Sequence, residues 1–215
     1  ALQKEQERSE GLLRNILPES IALRLKAEPG KVIADRHSDV TVIFVDFVDF
    51  TPKANRMSPE ELVHFLNRVF SEFDALVDIH GLEKIKTIGD AYMVVAGAPD
   101  TLSDNARLGA DFALAVIERT KDLSKKLGEK VEVRIGMQKG DLVAGVIGKK
   151  KFAYDVWGDT VNVAARMESH GQPNRIQVTE AIKEALEDSY TFAKRGVVEI
   201  KGKGPMTLYY LTGRV

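Results

Sequence analysis

With 31 Lys and Arg against 32 Asp and Glu in 215 residues, the chain has no global basic field, which argues against a nucleic-acid partner and makes any anion site local. It contains no cysteine, so a disulfide framework, a thiolate metal site and a cysteine nucleophile are excluded, in keeping with a reducing, cytoplasmic setting. The length suits one large domain or a domain with an appendage, no apolar run is long enough for a membrane span, and the polar start is not a signal peptide. Because the first residue is Ala rather than Met, an upstream sensor or membrane domain in a longer protein stays open.

Leu2 to Lys26 is charged, with Leu12, Leu13, Ile16, Leu17, Ile21 and Leu25 close to helical spacing and Pro18 interrupting them. Two readings stand: a linker helix that pairs with its copy, or a helix that caps the domain. Ala27 to Asp39, with Pro29-Gly30, reads as a loop. Residues 1–39 are therefore expected to be an N-terminal helical linker and residues 40–215 the functional domain.

Val40 to Val45 is continuously apolar and β-branched, the pattern of a central strand covered on both faces. Ser58-Pro59-Glu60-Glu61 announces a helix, with Ser58 as N-cap, Pro59 at the first helical position and Glu61 closing a capping box; Gly81 ends it. Glu83 to Ile88 and Ala91 to Gly97 flank Gly89-Asp90 as a hairpin. An Ala-rich helix over Leu102 to Leu127 stops at Gly128. Val131 to Met137 follows as a strand, then the Gly-punctuated Gly140 to Gly148, the run Lys149-Lys150-Lys151 and a strand over Phe152 to Val156. Gly158 to Ser169 is a helix. Arg175 to Val178, a short helix from Glu180, Gly196 to Ile200 and Leu208 to Leu211 complete the chain. The order is βαββαβ with a C-terminal extension, so the expected fold is α/β in the α+β sense, a ferredoxin-like sandwich preceded by the linker helix.

In that fold Asp46 and Asp90, each directly after an apolar strand, are juxtaposed. Either alone reads as a strand-end or turn aspartate; together they favour a metal site, since Mg²⁺ is usually held by one or two carboxylates with substrate phosphates completing its shell. Asn162 and Arg166 share one helix face behind the turn Tyr154-Asp155-Val156-Trp157-Gly158. Arg134, a cation inside VEVRIGM, suits either buried pairing or anion binding. Lys201 and Lys203 flank a glycine at a strand end, which suits phosphate, although exposed lysines usually serve solubility.

VIFVDFVDFT, GLEKIKTIGDAYMVVAG, VRIGMQKGDLVAGVIG, YDVWGDTVNVAARMES and EIKGKG, in this order and at these separations, resemble the catalytic domain of class III nucleotide cyclases, and most of all bacterial adenylyl cyclases of the mammalian-like, mycobacterial type. The resemblance covers about Val40 to Gly213. It implies two divalent cations, Mg or Mn, on Asp46 and Asp90 with the backbone C=O of Phe47 as accessory ligand. It further implies a purine-reading pair in Lys86 and Asp155, a transition-state pair in Asn162 and Arg166, triphosphate-binding cations in Arg134 and Lys201, and a triphosphate-wrapping loop that includes Phe50 and Thr51. The implied substrate is ATP and the implied assembly a homodimer with composite sites. Two departures stand out: Asp49 occupies a loop position where the family usually has Gly, which puts a carboxylate beside phosphate unless it points away or faces a cation and so leads to an expectation of weakened or metal-dependent binding, and Gln138-Lys139-Gly140 replaces an HTG-like stretch. A diguanylate cyclase of the polymerase-palm type would need a GGDEF-like turn, which is absent; a silent nucleotide-binding dimerisation module has Asp49 as its only support.

Overall fold

β1 (Ala34–Phe47) is the strand on which the other elements are laid. In the computed structural model, which describes residues 2–148 and 150–215, Val40 to Val45 are all buried. Alternate side chains leave a strand on opposite faces, so this run demands cover on both. Ile43, Val45 and Phe47 enter one core with Phe65, Val69 and Phe73 of α4 (Pro59–His80) and Ala110, Phe112 and Ala113 of α5 (Asn105–Leu127). Val40, Val42 and Phe44 enter a second core with Leu17, with Ile21 and Ala22 of α2 (Glu19–Ala27), and with Ala164 of α6 (Asp159–Ser169). Of the two readings of the helical start, α2 therefore acts as a cap on the domain. Beyond it, α1 (Leu2–Arg14) leaves Leu12 largely exposed, as is Ile16 just after it.

Against β1 lie β3 (Ala91–Ala96) on one side and β4 (Val133–Ile147) on the other, both antiparallel, with β2 (Glu83–Ile88) outside β3. This β2-β3-β1-β4 order is that of the expected βαββαβ sandwich. The C-terminal extension adds β6 (Ile176–Thr179) parallel to β4, then the antiparallel pair β8 (Gly204–Arg214) and β7 (Tyr190–Ile200), while β5 (Ala153–Trp157) pairs with the far half of β4. α3 (Phe50–Ala54) and α7 (Glu180–Leu186) are short connectors.

The local signals behave as expected. Glu61 N–H donates to Ser58 Oγ and Ser58 N–H donates to Glu61 Oε2, closing the capping box, with Pro59 opening α4. Gly81 and Gly128 end α4 and α5 in the left-handed region, each at φ 65°.

Three expectations are corrected. The loop expected over Ala27 to Asp39 ends early, because Ala34 to His37 pair with Gly145 to Leu142 and belong to β1. The glycine-punctuated stretch after Met137 is no break: β4 runs on to Ile147. Its glycines mark close backbone approach, since a Cβ on Gly136 would sit 2.0 Å from the Glu168 backbone N and one on Gly145 2.4 Å from the Ile33 carbonyl O. The final strands are longer than Gly196 to Ile200 and Leu208 to Leu211, pairing from Tyr190 with Arg214 to Ile200 with Gly204. Lys149 of the lysine run lies outside the described residues.

Candidate active site

Val42, Phe44 and Asp46 share one face of β1, so the alternation that buries the first two aims the Asp46 carboxylate at α6. In register, Asp46 is opposite Ala91 on β3 and Arg134 on β4, which sets it beside Asp90 in the β2–β3 turn. Gly89, at φ 61°, makes that turn. Burial, then the hydrogen bond to Asp46 and its charge, push the Asp90 carboxyl up to about 6. Asp46 is also raised, by burial first and by repulsion from Glu168, against the opposing hydrogen bond from Asp90 and the charge of Arg134. Two carboxylates in such contact favour a shared proton over two charges.

Asp46 Oδ1 is buried without a hydrogen-bond partner. An acceptor of that kind calls for a cation, so the residues fit a divalent ion. Among the described residues no group of three or more His, Cys, Asp or Glu is arranged to hold a metal by itself. Two protein carboxylates with substrate oxygens is the Mg²⁺ pattern instead.

Arg134 settles as a paired cation. Its Nη2 donates to Asp46 Oδ2 at 3.3 Å and its Nε donates to Glu168 Oε1 at 3.1 Å. Glu168, only 7 % exposed near the end of α6, is the participant that the sequence reading missed. The available signal was a pair of opposite charges in otherwise apolar settings: Arg134 within β4, and Glu168 beside the fully buried Met167.

The phosphate-loop candidates follow directly. The Phe47 ring is buried against Phe50, Phe65 and Phe70, with centroids 5.6, 5.6 and 6.0 Å away, and this anchors the start of α3, where Phe50 and Thr51 lie. Asp49 immediately before them has φ 54°, a left-handed conformation that glycine adopts freely and Asp tolerates. Asp49 lines a depression of about 490 Å³ with Lys53, Arg56, Glu129 and Lys130. The Lys130 ammonium is held above its usual range by Glu132 first, and by Asp49 as well. Lys53 and Lys130 are themselves paired with Glu129 and Glu132, so the Asp49 carboxylate shares these cations with two other carboxylates. Gln138-Lys139-Gly140 is structural: Gln138 Oε1 accepts from Thr179 Oγ1 at 2.5 Å, Lys139 pairs with Asp39 at 2.7 Å, and a Cβ on Gly140 would meet Thr160 Oγ1 at 2.6 Å.

Two further groups of candidate residues lie elsewhere. Lys86 Nζ on β2 donates to Asp155 Oδ2 on β5 at 2.6 Å, and the Val156 backbone N–H fixes Asp155 Oδ1 at 2.8 Å. Asn162 and Arg166, one turn apart on α6, line a cavity of about 540 Å³ with Asp159, Lys201 and Lys203. Lys203 is paired with Asp159, whereas the Arg166 and Lys201 cations have no ion-pair partner among the described residues. Neither Asp46 nor Asp90 is in that lining.

The fold, with its carboxylate pair and these further groups of polar residues, is that of a class III nucleotide cyclase domain. Residues 32–213 match the adenylate and guanylate cyclase catalytic domain, and the chain belongs to that family. It is 47 % identical over 213 residues to an adenylate cyclase of Mycobacterium tuberculosis, across 99 % of this chain and 48 % of the relative. It is 40 % identical over 209 residues to the guanylate cyclase soluble subunit beta-2 of Rattus norvegicus, across 96 % of this chain and 30 % of that one. The chain thus spans less than half the length of these curated relatives. The guanylate cyclase domain of RhGC from Catenaria anguillulae, solved in complex with GTP, has a TM-score of 0.81 and 35 % identity, covering 84 % of this chain and all of that one. Among the described residues no helix is long and apolar enough to cross a membrane.

Proposed function

We propose that this domain is an adenylyl cyclase, converting ATP to 3′,5′-cyclic AMP and pyrophosphate at sites shared between two copies of the chain. The observation that carries the base choice is Lys86 beside Asp155, a donor and an acceptor 2.6 Å apart. Adenine presents an acceptor at N1 and a donor at N6, which match them; guanine inverts both. Relatives are named for each activity, so the choice of ATP in this reading rests on this pair.

Asp46 and Asp90, with the Phe47 carbonyl, would hold two divalent cations, Mg²⁺ or Mn²⁺. When bound, these supply a lowered pKa for the ribose 3′-hydroxyl and charge neutralisation for pyrophosphate. Asn162 orients the ribose. Arg166, with no carboxylate partner among the described residues, stabilises charge growing on the α-phosphoryl oxygens, an interaction strongest in the transition state. Arg134 and Lys201 bind the triphosphate, and the chain around Phe50 and Thr51 wraps it. A homodimer follows because the cavity of Asn162, Arg166 and Lys201 lacks the two aspartates, which a second copy would bring.

The catalytic unit is assigned to the cytoplasm. Residues 1–33, whose α2 caps the domain, lead back to an upstream sensor or membrane domain, a reading that the greater length of the relatives supports. A silent nucleotide-binding module is the alternative reading, with Asp49 as its support, and the formation of product separates the two.

The test is product analysis by chromatography after incubation with MgATP, MnATP and the GTP equivalents. Cyclic AMP should form and cyclic GMP should be minor. Lys86→Glu should cut the preference for ATP over GTP by at least about tenfold, because a polar base edge would then face a like group. A preference unchanged by Lys86→Glu would remove the basis for choosing ATP.

A further inference from the structure

Among the described residues, Asp155 and Glu168 are the two buried carboxylate residues, and Glu168 has no part in the proposed chemistry. We propose that Glu168 is a positioning residue that holds Arg134 by its Nε, so that Arg134 can release Asp46 to a divalent cation. This inference rests on the metal reading of Asp46 and Asp90.

The geometry makes Arg134 the resident cation of the cluster, with one nitrogen on Asp46 and another on Glu168. A guanidinium is rigid and always charged, so its two carboxylates cannot be exchanged independently of its orientation. A metal ion that takes Asp46 must displace Nη2. Without a second carboxylate the displaced guanidinium would be left half-buried with no counter-ion, a costly arrangement. Glu168 stays as that counter-ion, and the freed N–H groups face outward for phosphate. With a neutral side chain at position 168, Asp46 becomes the only carboxylate of Arg134, and the arginine competes with the metal.

The contact is built in by packing. Gly136 is two residues beyond Arg134 on the same face of β4, and the space its Cβ would fill is taken by the backbone of Met167 and Glu168. α6 is thereby pressed onto β4 at the place where Glu168 meets Arg134. The same helix carries Asn162 and Arg166, so one element positions a group in each of the two proposed half-sites.

The experiment is a double-mutant cycle on Mn²⁺ binding without nucleotide, read by electron paramagnetic resonance of free Mn²⁺ on the purified chain, with thermal melts confirming the fold. Glu168→Gln should weaken Mn²⁺ binding by about tenfold in the wild-type background and less than about twofold in an Arg134→Gln background. Glu168→Asp, which keeps the charge but shortens the reach to Nε, should weaken it too. It also serves as the second variant should the glutamine fail to fold. Equal weakening in both backgrounds, or full affinity in Glu168→Asp, would mean that Glu168 acts through its charge alone and would overturn the proposal. Asp46→Asn provides the separate control: Mn²⁺ binding that survives this change sinks the metal reading, and this inference with it.

Discussion

Asp49 shows how a residue can be unusual in sequence and unremarkable in chemistry. Its backbone at φ 54° explains why glycine suits the position, while its carboxylate lies with Lys53, Arg56 and Lys130. Asp49→Gly should therefore leave the KM for MgATP within about threefold and stability within about 1 kcal/mol, the relieved backbone strain being offset by a more flexible unfolded chain. A tenfold fall in KM by steady-state kinetics would mean that the carboxylate repels the triphosphate after all. Glu83 is the other residue whose setting has a measurable consequence. Burial first, then the charges of Asp100 and Asp78, push its carboxyl up to about 7. The folded state holds this proton more tightly than the unfolded chain, so the stability it contributes is complete below about pH 4.5 and is lost as pH rises through 7. Glu83→Gln should match the wild type near pH 5 and exceed it by about 1 to 3 kcal/mol at pH 8, as measured by denaturant unfolding across that range. A difference that does not change with pH would contradict the assignment.

At the scale of elements, what was legible was what is decided locally. The Ser58 cap, the two helix-ending glycines and the Gly89 turn each work within a few residues, and each stands where the sequence put it. The apolar run of β1 was legible because it has no polar face at all. The start of β1 was not, since Ala34 to His37 have no apolar pattern and are strand only through pairing with β4. Glycine misled in β4 for a related reason: its meaning at Gly136 and Gly145 lies in a neighbour far along the chain. Of the candidate site, Asp46 with Asp90 and Lys86 with Asp155 come together, whereas the role of Glu168 depends on a helix-to-sheet distance that no local motif encodes. Gly136→Ala tests that distance. A methyl group 2.0 Å from the Glu168 backbone N forces α6 outward, which should cost about 2 to 4 kcal/mol of stability. Because Asn162, Arg166 and Glu168 all move with α6, cyclase activity at a temperature where the variant remains folded should fall at least about tenfold. Activity that tracks only the folded fraction would show α6 to be less tightly coupled to the chemistry.

For the whole molecule the deciding question is whether one copy suffices. Asp46→Ala and Arg166→Ala should each be nearly inactive alone. If the two halves of a site come from different chains, a mixed dimer has one site with both lesions and one with neither. Random exchange makes roughly half the dimers mixed, so an equimolar mixture should recover about a quarter of wild-type activity, with subunit exchange verified by a tagged pull-down. Mixed dimers without recovered activity would show that each chain builds its own site. The ion pairs on each half have a further consequence. Lys86 rests on Asp155, and Arg134 on Asp46 and Glu168, so these two cations are already neutralised from within, whereas Arg166 and Lys201 have no ion-pair partner among the described residues. At Lys86 and Arg134, taking up nucleotide as proposed is then a metathesis, in which internal partners are swapped for substrate ones, while Arg166 and Lys201 meet the phosphates as bare cations. Dissolved salt screens the pairs on both sides of that swap, so the ionic strength of the medium should act on nucleotide binding mainly through Arg166 and Lys201, whose attraction to phosphate has no internal pair to offset it.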